Sequence, residues 1–109
     1  LGESDQAIQE LDKFIRHMNS NNWVTEAIQF LEKQVEERPQ QAAIRRRLGE
    51  EYFIIGNLEK GVHHLDLTRE ILMEMGDRVG AMAAVQRIIE FNPPDVALYQ
   101  QMLERLRSN

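Results

Sequence analysis

The chain has 109 residues, a net charge of −5 and no cysteine, which excludes disulfides and thiolate metal sites. An acidic chain repels phosphate backbones, so we expect no nucleic-acid partner. No apolar run approaches the roughly 20 residues of a membrane span, and we expect no membrane partner. This length is typical of one domain, 1–109, and the lack of cysteine favours a reducing, cytoplasmic location.

Helical periodicity runs through the whole sequence. Apolar residues recur every three or four positions, and no stretch alternates apolar and polar residues for long. Leu11, Phe14, Ile15 and Met18 form the first such stripe. The pattern predicts an all-α protein with helices near 4–18, 22–37, 41–55, 58–75, 77–91 and 95–107.

Turn residues separate these stripes. Gly56-Asn57 and Gly76-Asp77 each place a residue that tolerates positive φ before one that caps a helix. The segment 92–95 contains two prolines, which end the fifth helix before the sixth begins. Because the predicted loops have two to four residues, neighbouring helices are expected to run antiparallel.

A shift of 34 residues superimposes equivalent positions. Asn22 falls on Gly56, so a turn residue meets a turn residue. Similarly, Ala27 falls on Gly61, and Leu31 falls on Leu65. One helix pair every 34 residues is the period of tetratricopeptide repeats.

The residues at these positions also resemble the consensus of the tetratricopeptide repeat (TPR) family over nearly the whole chain. The matching motifs are Leu48-Gly49-x-x-Tyr52, Gly56, Gly61-x-x-x-Leu65, Ala27-x-x-x-Leu31 with Pro39, and Ala81-x-x-x-Val85 with Ile88 and Asn92-Pro93. The resemblance implies an α-solenoid of antiparallel helix pairs, about six helices in three pairs. The chain departs from the family pattern at Ile15, where glycine is preferred, and in the spacing of the prolines. Pro39 and Pro93 are 54 positions apart, so the phase slips in the fourth helix.

No motif in the sequence predicts catalysis, a metal or a cofactor. His63 and His64 are adjacent, so on a helix their side chains point about 100° apart, which is poor geometry for chelation. The basic run 45–47 precedes Glu50 and Glu51 by about one helical turn, which favours ion pairs within the helix over an anion-binding patch.

In the TPR family the first helix of each pair lines a concave groove that binds peptides or partner helices. Arg16 and Arg46 are the strongest candidates to bind an acidic group, because a guanidinium offers forked donors. For Phe53 a place in the core is at least as good an interpretation. The groove positions that the resemblance implies are Gln9, Asp12, Arg16, Asn19, Arg46, Glu50 and Phe53.

The resulting hypothesis is a protein-interaction module or scaffold, a segment of a larger bacterial-type protein, whose partner is another protein or a peptide. The alternative is a homodimer formed through the terminal helices, because the sixth helix has a broad apolar face that must be covered. A small-ligand binder or enzyme is the remote third possibility, since open solenoids seldom form closed pockets. The apolar face of the sixth helix comprises Tyr99, Met102, Leu103 and Leu106.

Overall fold

The computed structural model describes residues 5–108. It confirms an all-helical protein, with six helices and no strand in this part of the chain. The predicted start of the first helix at residue 4 lies outside the described residues. The helices are α1 (Asp5–Ser20), α2 (Val24–Glu37), α3 (Ala42–Ile54), α4 (Leu58–Glu74), α5 (Arg78–Glu90) and α6 (Val96–Ser108).

Two of the connections use the same glycine-plus-cap arrangement. Gly56 and Gly76 both have φ of +80°, a conformation that costs glycine little. Asn57 then caps α4 by accepting a hydrogen bond from the Lys60 backbone N–H at 3.1 Å. Asp77 caps α5 in the same way, accepting from the Gly80 N–H at 2.8 Å. The predicted C-cap and N-cap pairs are therefore confirmed at both turns.

The 34-residue repeat is visible in the hydrogen bonds of the first and third turns. Asn22, the counterpart of Gly56, also has positive φ, at 61°. The Trp23 N–H donates to the Met18 carbonyl at 2.8 Å. Thirty-four residues later, the Asn57 N–H donates to the Tyr52 carbonyl at 2.9 Å. The two turns therefore share their backbone conformation as well as their sequence spacing.

Close packing of α3 on α4 depends on two glycines. A Cβ on Gly61 would lie 2.5 Å from a ring carbon of Phe53, and one on Gly49 would lie 3.1 Å from the Gly61 carbonyl oxygen. Four positions after Gly61, Leu65 is fully buried beside this contact. The small residue thus lets the helices approach, and the large one fills the space beside it.

The core consists of two clusters of buried side chains. One belongs to α1, α2 and α3, and its members include Ile15, Ala27, Leu31, Leu48 and Tyr52. The other belongs to α3 through α6, and its members include Phe53, Leu65, Ala81, Val85, Ile88, Tyr99, Leu103 and Leu106.

Each helix packs mainly on its neighbours in the sequence, and the described chain measures 41 × 33 × 20 Å. The contact of α1 with α2 is less extensive than that of α3 with α4. At the position of Gly49, α1 carries Ile15, a side chain that prevents an equally close approach of the backbones. Ile15 is also the only buried residue of α1 as described.

The helical periodicity of the sequence places Ile55 on the apolar stripe of the third helix and Met75 on that of the fourth, but both residues are exposed. Ile55 and Met75, at 51% and 67% exposure, are the C-cap residues of α3 and α4. The chain leaves the helical path there, so the periodic pattern no longer places them on the buried face. Met73, in the last turn of α4, is also exposed, at 40%. Phe14 is 44% exposed and makes an edge-on contact with Phe30.

Candidate functional site

A concave feature of the described surface that combines cationic, anionic and apolar groups is a cleft between α3 and α5. Its volume is about 590 Å³. Apolar side chains of α4 and small residues of α5 form its floor, and charged side chains of α3 and α5 stand at its sides. The lining residues are Arg46, Arg47, Glu50, Glu51, Ile54, Leu65, Leu72, Gly80, Ala83, Ala84 and Arg87.

A bidentate ion pair crosses this cleft. The Arg87 Nε and Nη2 atoms of α5 each donate to the Glu50 carboxylate of α3 at 2.8 Å. Arg87 Nη1 also donates to Glu90 at 2.7 Å. These hydrogen bonds raise the pKa of Arg87 above its ordinary value and fix the guanidinium in place. Arg87 therefore bridges α5 to α3 and is already neutralised by carboxylates.

Arg46 differs from Arg47 and Arg87, the other arginines of the cleft, in its exposure and in its lack of a carboxylate partner among the described residues. Its side chain is exposed on α3, and within residues 5–108 it makes no ion pair. Ile54, 59% exposed, lies on the same wall two turns further along the helix. The cleft thus offers one uncommitted cation together with an apolar surface.

The helix α1 meets α3 through polar groups. Asp12 of α1 lies 3.7 Å from Arg47 of α3, which is also 3.8 Å from Glu51. The amide of Asn19 adjoins the Glu51 carboxyl. The predicted intrahelical pairing of the basic run is confirmed only for Arg47, because Arg45 bonds to the Pro39 carbonyl and faces another cluster.

Glu51 is the one fully buried carboxylate of the described chain, with 0% exposure. Neither of its oxygens has a hydrogen-bond partner within residues 5–108. Burial raises the pKa of Glu51, while the Asn19 amide and the Arg47 charge act in the opposite direction and Glu50 adds to the rise. Glu51 is buried where Asn19 and Asp12 of α1 meet α3, an arrangement that the sequence pattern does not signal.

The structure brings only some of the predicted groove residues together. Arg46 and Glu50 line the cleft, and Asp12 and Asn19 lie at the junction of α1 with α3. Gln9 and Arg16 are exposed on α1 and do not line the cleft.

Phe53 lies in the core and not in the groove, so of its two sequence interpretations the core is correct and the groove position is wrong. Its side chain is buried, and its ring stacks on Phe91 with the centroids 3.8 Å apart. Sequence reasoning also missed Arg87. Its role depends on α5 lying across from α3, and no pattern in the sequence signals that arrangement.

A second polar cluster joins α2, α3 and α4 away from the cleft. The Tyr52 hydroxyl donates to Glu32 at 2.8 Å, and the Tyr52 ring stacks on His64 with centroids 5.6 Å apart. A guanidinium nitrogen of Arg45 lies 3.4 Å from His64 Nδ1. Burial, aided by nearby cations and opposed by Glu32, lowers the pKa of His64 to about 4. Burial and the bond to Glu32 raise the pKa of Tyr52 to about 12.

His64 is expected to make stability depend on pH. The folded-state pKa of His64 is about 4, below the ordinary 6.5. Between these two pH values the imidazole is protonated in the unfolded chain but neutral in the folded chain. The stabilisation is complete above pH 6.5 and is lost as the pH falls towards about 4. Its loss should lower the free energy of unfolding by up to about 3 kcal/mol. Urea unfolding at a series of pH values between 6.5 and about 4 measures this change in the free energy of unfolding.

The matched comparison uses His64→Phe, which keeps a ring beside Tyr52 but cannot titrate, and His63→Gln at the exposed neighbouring position. The phenylalanine variant should lose less stability on acidification than the wild type, whereas the glutamine variant should follow the wild type. Parallel profiles for the wild type and His64→Phe would contradict the assignment.

Fold and site together define an all-helical protein with an open cleft between non-consecutive helices, rimmed by charge and floored by apolar side chains. None of the helices formed by residues 5–108 has the length and apolar character needed to cross a bilayer. The sequence matches no model of a known protein family and no curated protein.

Proposed function

We propose that the chain is a protein-interaction module, a TPR-like solenoid of antiparallel helix pairs that holds a peptide segment of another protein in the cleft between α3 and α5. Three observations support this architecture: consecutive helices pack on one another, the turns around Asn22 and Gly56 repeat after 34 residues, and small residues occupy close helix contacts. In such an array alternate helices share one face, and α3 and α5 share the cleft.

The observation that carries the proposal is the uncommitted Arg46 beside an apolar surface. Because Arg47 and Arg87 already face carboxylates, Arg46 is the cation available to an occupant. Half-buried Leu72 and exposed Ile54 offer contacts for an apolar side chain. The fitting occupant is an extended peptide that places an Asp, Glu or terminal carboxylate near an apolar residue.

The cleft favours binding over a reaction for a chemical reason. The Glu50 carboxylate is held by Arg87 through two short hydrogen bonds, so its charge is already used in joining α3 to α5. The Glu51 oxygens are fully buried. Glu50 therefore serves the packing of the helices and the Glu51 oxygens are closed off from an occupant, so the exposed groups that remain are those that suit recognition.

The experiment that tests this function is binding to two defined peptide arrays. One array contains extended peptides that combine a single Asp or Glu with a Leu or Phe at varied spacing, and the other replaces each acidic residue with Lys. We expect binders only in the acidic array, and Arg46→Glu should weaken them about tenfold, or by roughly 1.4 kcal/mol. Fluorescence polarisation of labelled binders measures the change.

The matched control is Arg105→Glu, the same charge reversal at an exposed position on α6. It should leave the affinity unchanged, and NMR shift changes caused by the peptide should centre on the cleft. Equal binding by wild type and Arg46→Glu would contradict the assignment of Arg46. An absence of binders in both arrays would contradict the peptide-binding function itself.

The alternative of a homodimer through the terminal helices rested on the broad apolar face of α6. Tyr99, Leu103 and Leu106 are buried in the same cluster as Val85 and Ile88 of α5. The broad apolar face of α6 is therefore covered within the chain and does not require a second copy.

A further inference from the structure

The junction between α1 and α3 contains buried polar atoms whose hydrogen-bonding capacity is unmet. Both Glu51 oxygens and the Asn19 Oδ1 atom are buried acceptors without a partner among residues 5–108. The buried donor beside them, Arg47 Nε, lies 3.8 Å from Glu51, too far for a hydrogen bond. Among the described buried atoms that lack a partner at this junction, three are acceptors and one is a donor.

A buried carboxylate without short hydrogen bonds is costly, because folding has removed its water and its polar neighbours replace that water only in part. The groups that face Glu51 do not fully compensate. Arg47 and Glu50 of α3 and the Asn19 amide of α1 face Glu51. The Arg47 charge is shared, because the Asp12 carboxylate lies 3.7 Å from the Arg47 guanidinium. From α5, Arg87 is held by Glu50 and Glu90, and α4 contributes apolar side chains to this wall.

We propose that Glu51 carries a proton at this junction and that the proton strengthens the docking of α1 on α3. A protonated carboxyl is neutral and supplies the O–H donor that the surrounding acceptors lack. When the proton leaves, the charged carboxylate must regain water, and movement of α1 away from α3 uncovers it on the side of Asn19. The inference is independent of whether the cleft binds a peptide.

The helix α1 is suited to such a response because little else holds it. Ile15 is its only buried residue as described, and its contact with α2 is less extensive than the contact of α3 with α4. Local opening is expected where few apolar contacts hold an element. Raised pH should therefore loosen α1 while α3 to α6 stay packed.

The sign of the pH dependence follows from burial. Because the folded-state pKa of Glu51 lies above the ordinary 4.5, the stabilisation is complete below pH 4.5 and is lost as the pH rises through the folded value. This trend is opposite to that of His64. Comparing the pH dependence of wild type with that of a variant at one of these two residues isolates the contribution of that residue.

The test combines a direct titration with hydrogen exchange. In wild type labelled uniformly with carbon-13 and nitrogen-15, the Glu51 carboxyl-carbon signal, assigned through its bonds to the Glu51 backbone amide, should titrate with a midpoint above 4.5. Amide protection factors in α1, corrected for intrinsic exchange, should fall between mildly acidic and mildly alkaline pH. Glu51→Gln should show no such fall, and Glu104→Gln, an exposed control on α6, should behave as wild type.

Two results would overturn the proposal. A Glu51 midpoint at or below 4.5 would mean that the carboxylate is hydrated and charged in the folded protein. An equal loss of α1 protection in wild type and Glu51→Gln would mean that another group controls the docking. The titration uses wild-type protein, so it decides the protonation state even if the glutamine variant folds poorly.

Discussion

Replacing Leu65 by alanine is expected to lower the free energy of unfolding by about 2–5 kcal/mol. Leu65 is fully buried on α4, belongs to the cluster that joins α3 to α6, and lies against the position of Gly49. The shortened side chain leaves a void that rigid helices cannot close. Because domains of this size are stable by only about 5–15 kcal/mol, the loss is a large fraction of the total.

The control for Leu65 is the same substitution at Leu98, which lies in the first turns of α6 and is 59% exposed. That change should alter stability by no more than about 0.5 kcal/mol. Urea unfolding followed by far-UV circular dichroism measures both. Similar losses for the two variants would show that Leu65 does not occupy the core position described.

Gly61→Ala is expected to destabilise the protein although alanine is the better helix former. The new Cβ would lie 2.5 Å from the Phe53 ring, and stacking on Phe91 at 3.8 Å limits the retreat of that ring. Overpacking costs about 1–3 kcal/mol, whereas replacing a helical glycine gains at most about 1 kcal/mol. The net loss should be about 1–2 kcal/mol, measured by urea unfolding.

A double-mutant cycle tests the cause of this loss. Phe53→Leu removes the ring that the new Cβ would meet, so Gly61→Ala should cost less in that background than in wild type. If the two substitutions were additive, the clash with Phe53 would not be the reason for the loss, and the close approach of α3 and α4 at Gly61 would need another explanation.

The helices and their turns were predictable because their causes are local. Gly56 and Gly76 adopt positive φ whatever surrounds them, and Asn57 and Asp77 cap the helices through backbone groups three residues away. The pattern failed where a helix ended, as at Ile55 and Met75, and at Phe14 in the middle of α1.

The cleft was only partly predictable because its parts come from distant segments. Arg46 and Glu50 could be assigned from the resemblance to TPR proteins, but the pairing of Glu50 with Arg87 spans 37 positions. Phe53 shows the reverse situation. A groove position was implied for Phe53 by the resemblance, but in the folded chain this residue lies beside Gly61 and Phe91. Because Gly61 has no Cβ, the Phe53 ring fits against α4 and is buried in the core.

By itself the sequence determined six helices, the caps of α4 and α5, the 34-residue spacing and most of the buried stripes, since each depends on side chains within a few turns of one another. Only the tertiary structure decided which charges meet across helices. Glu51 and Glu50 are adjacent and chemically alike, yet one is buried beneath α1 and the other is bound by Arg87 of α5. A carboxylate's solvation and partners depend on which helices pack over it, and that arrangement is set by the whole core.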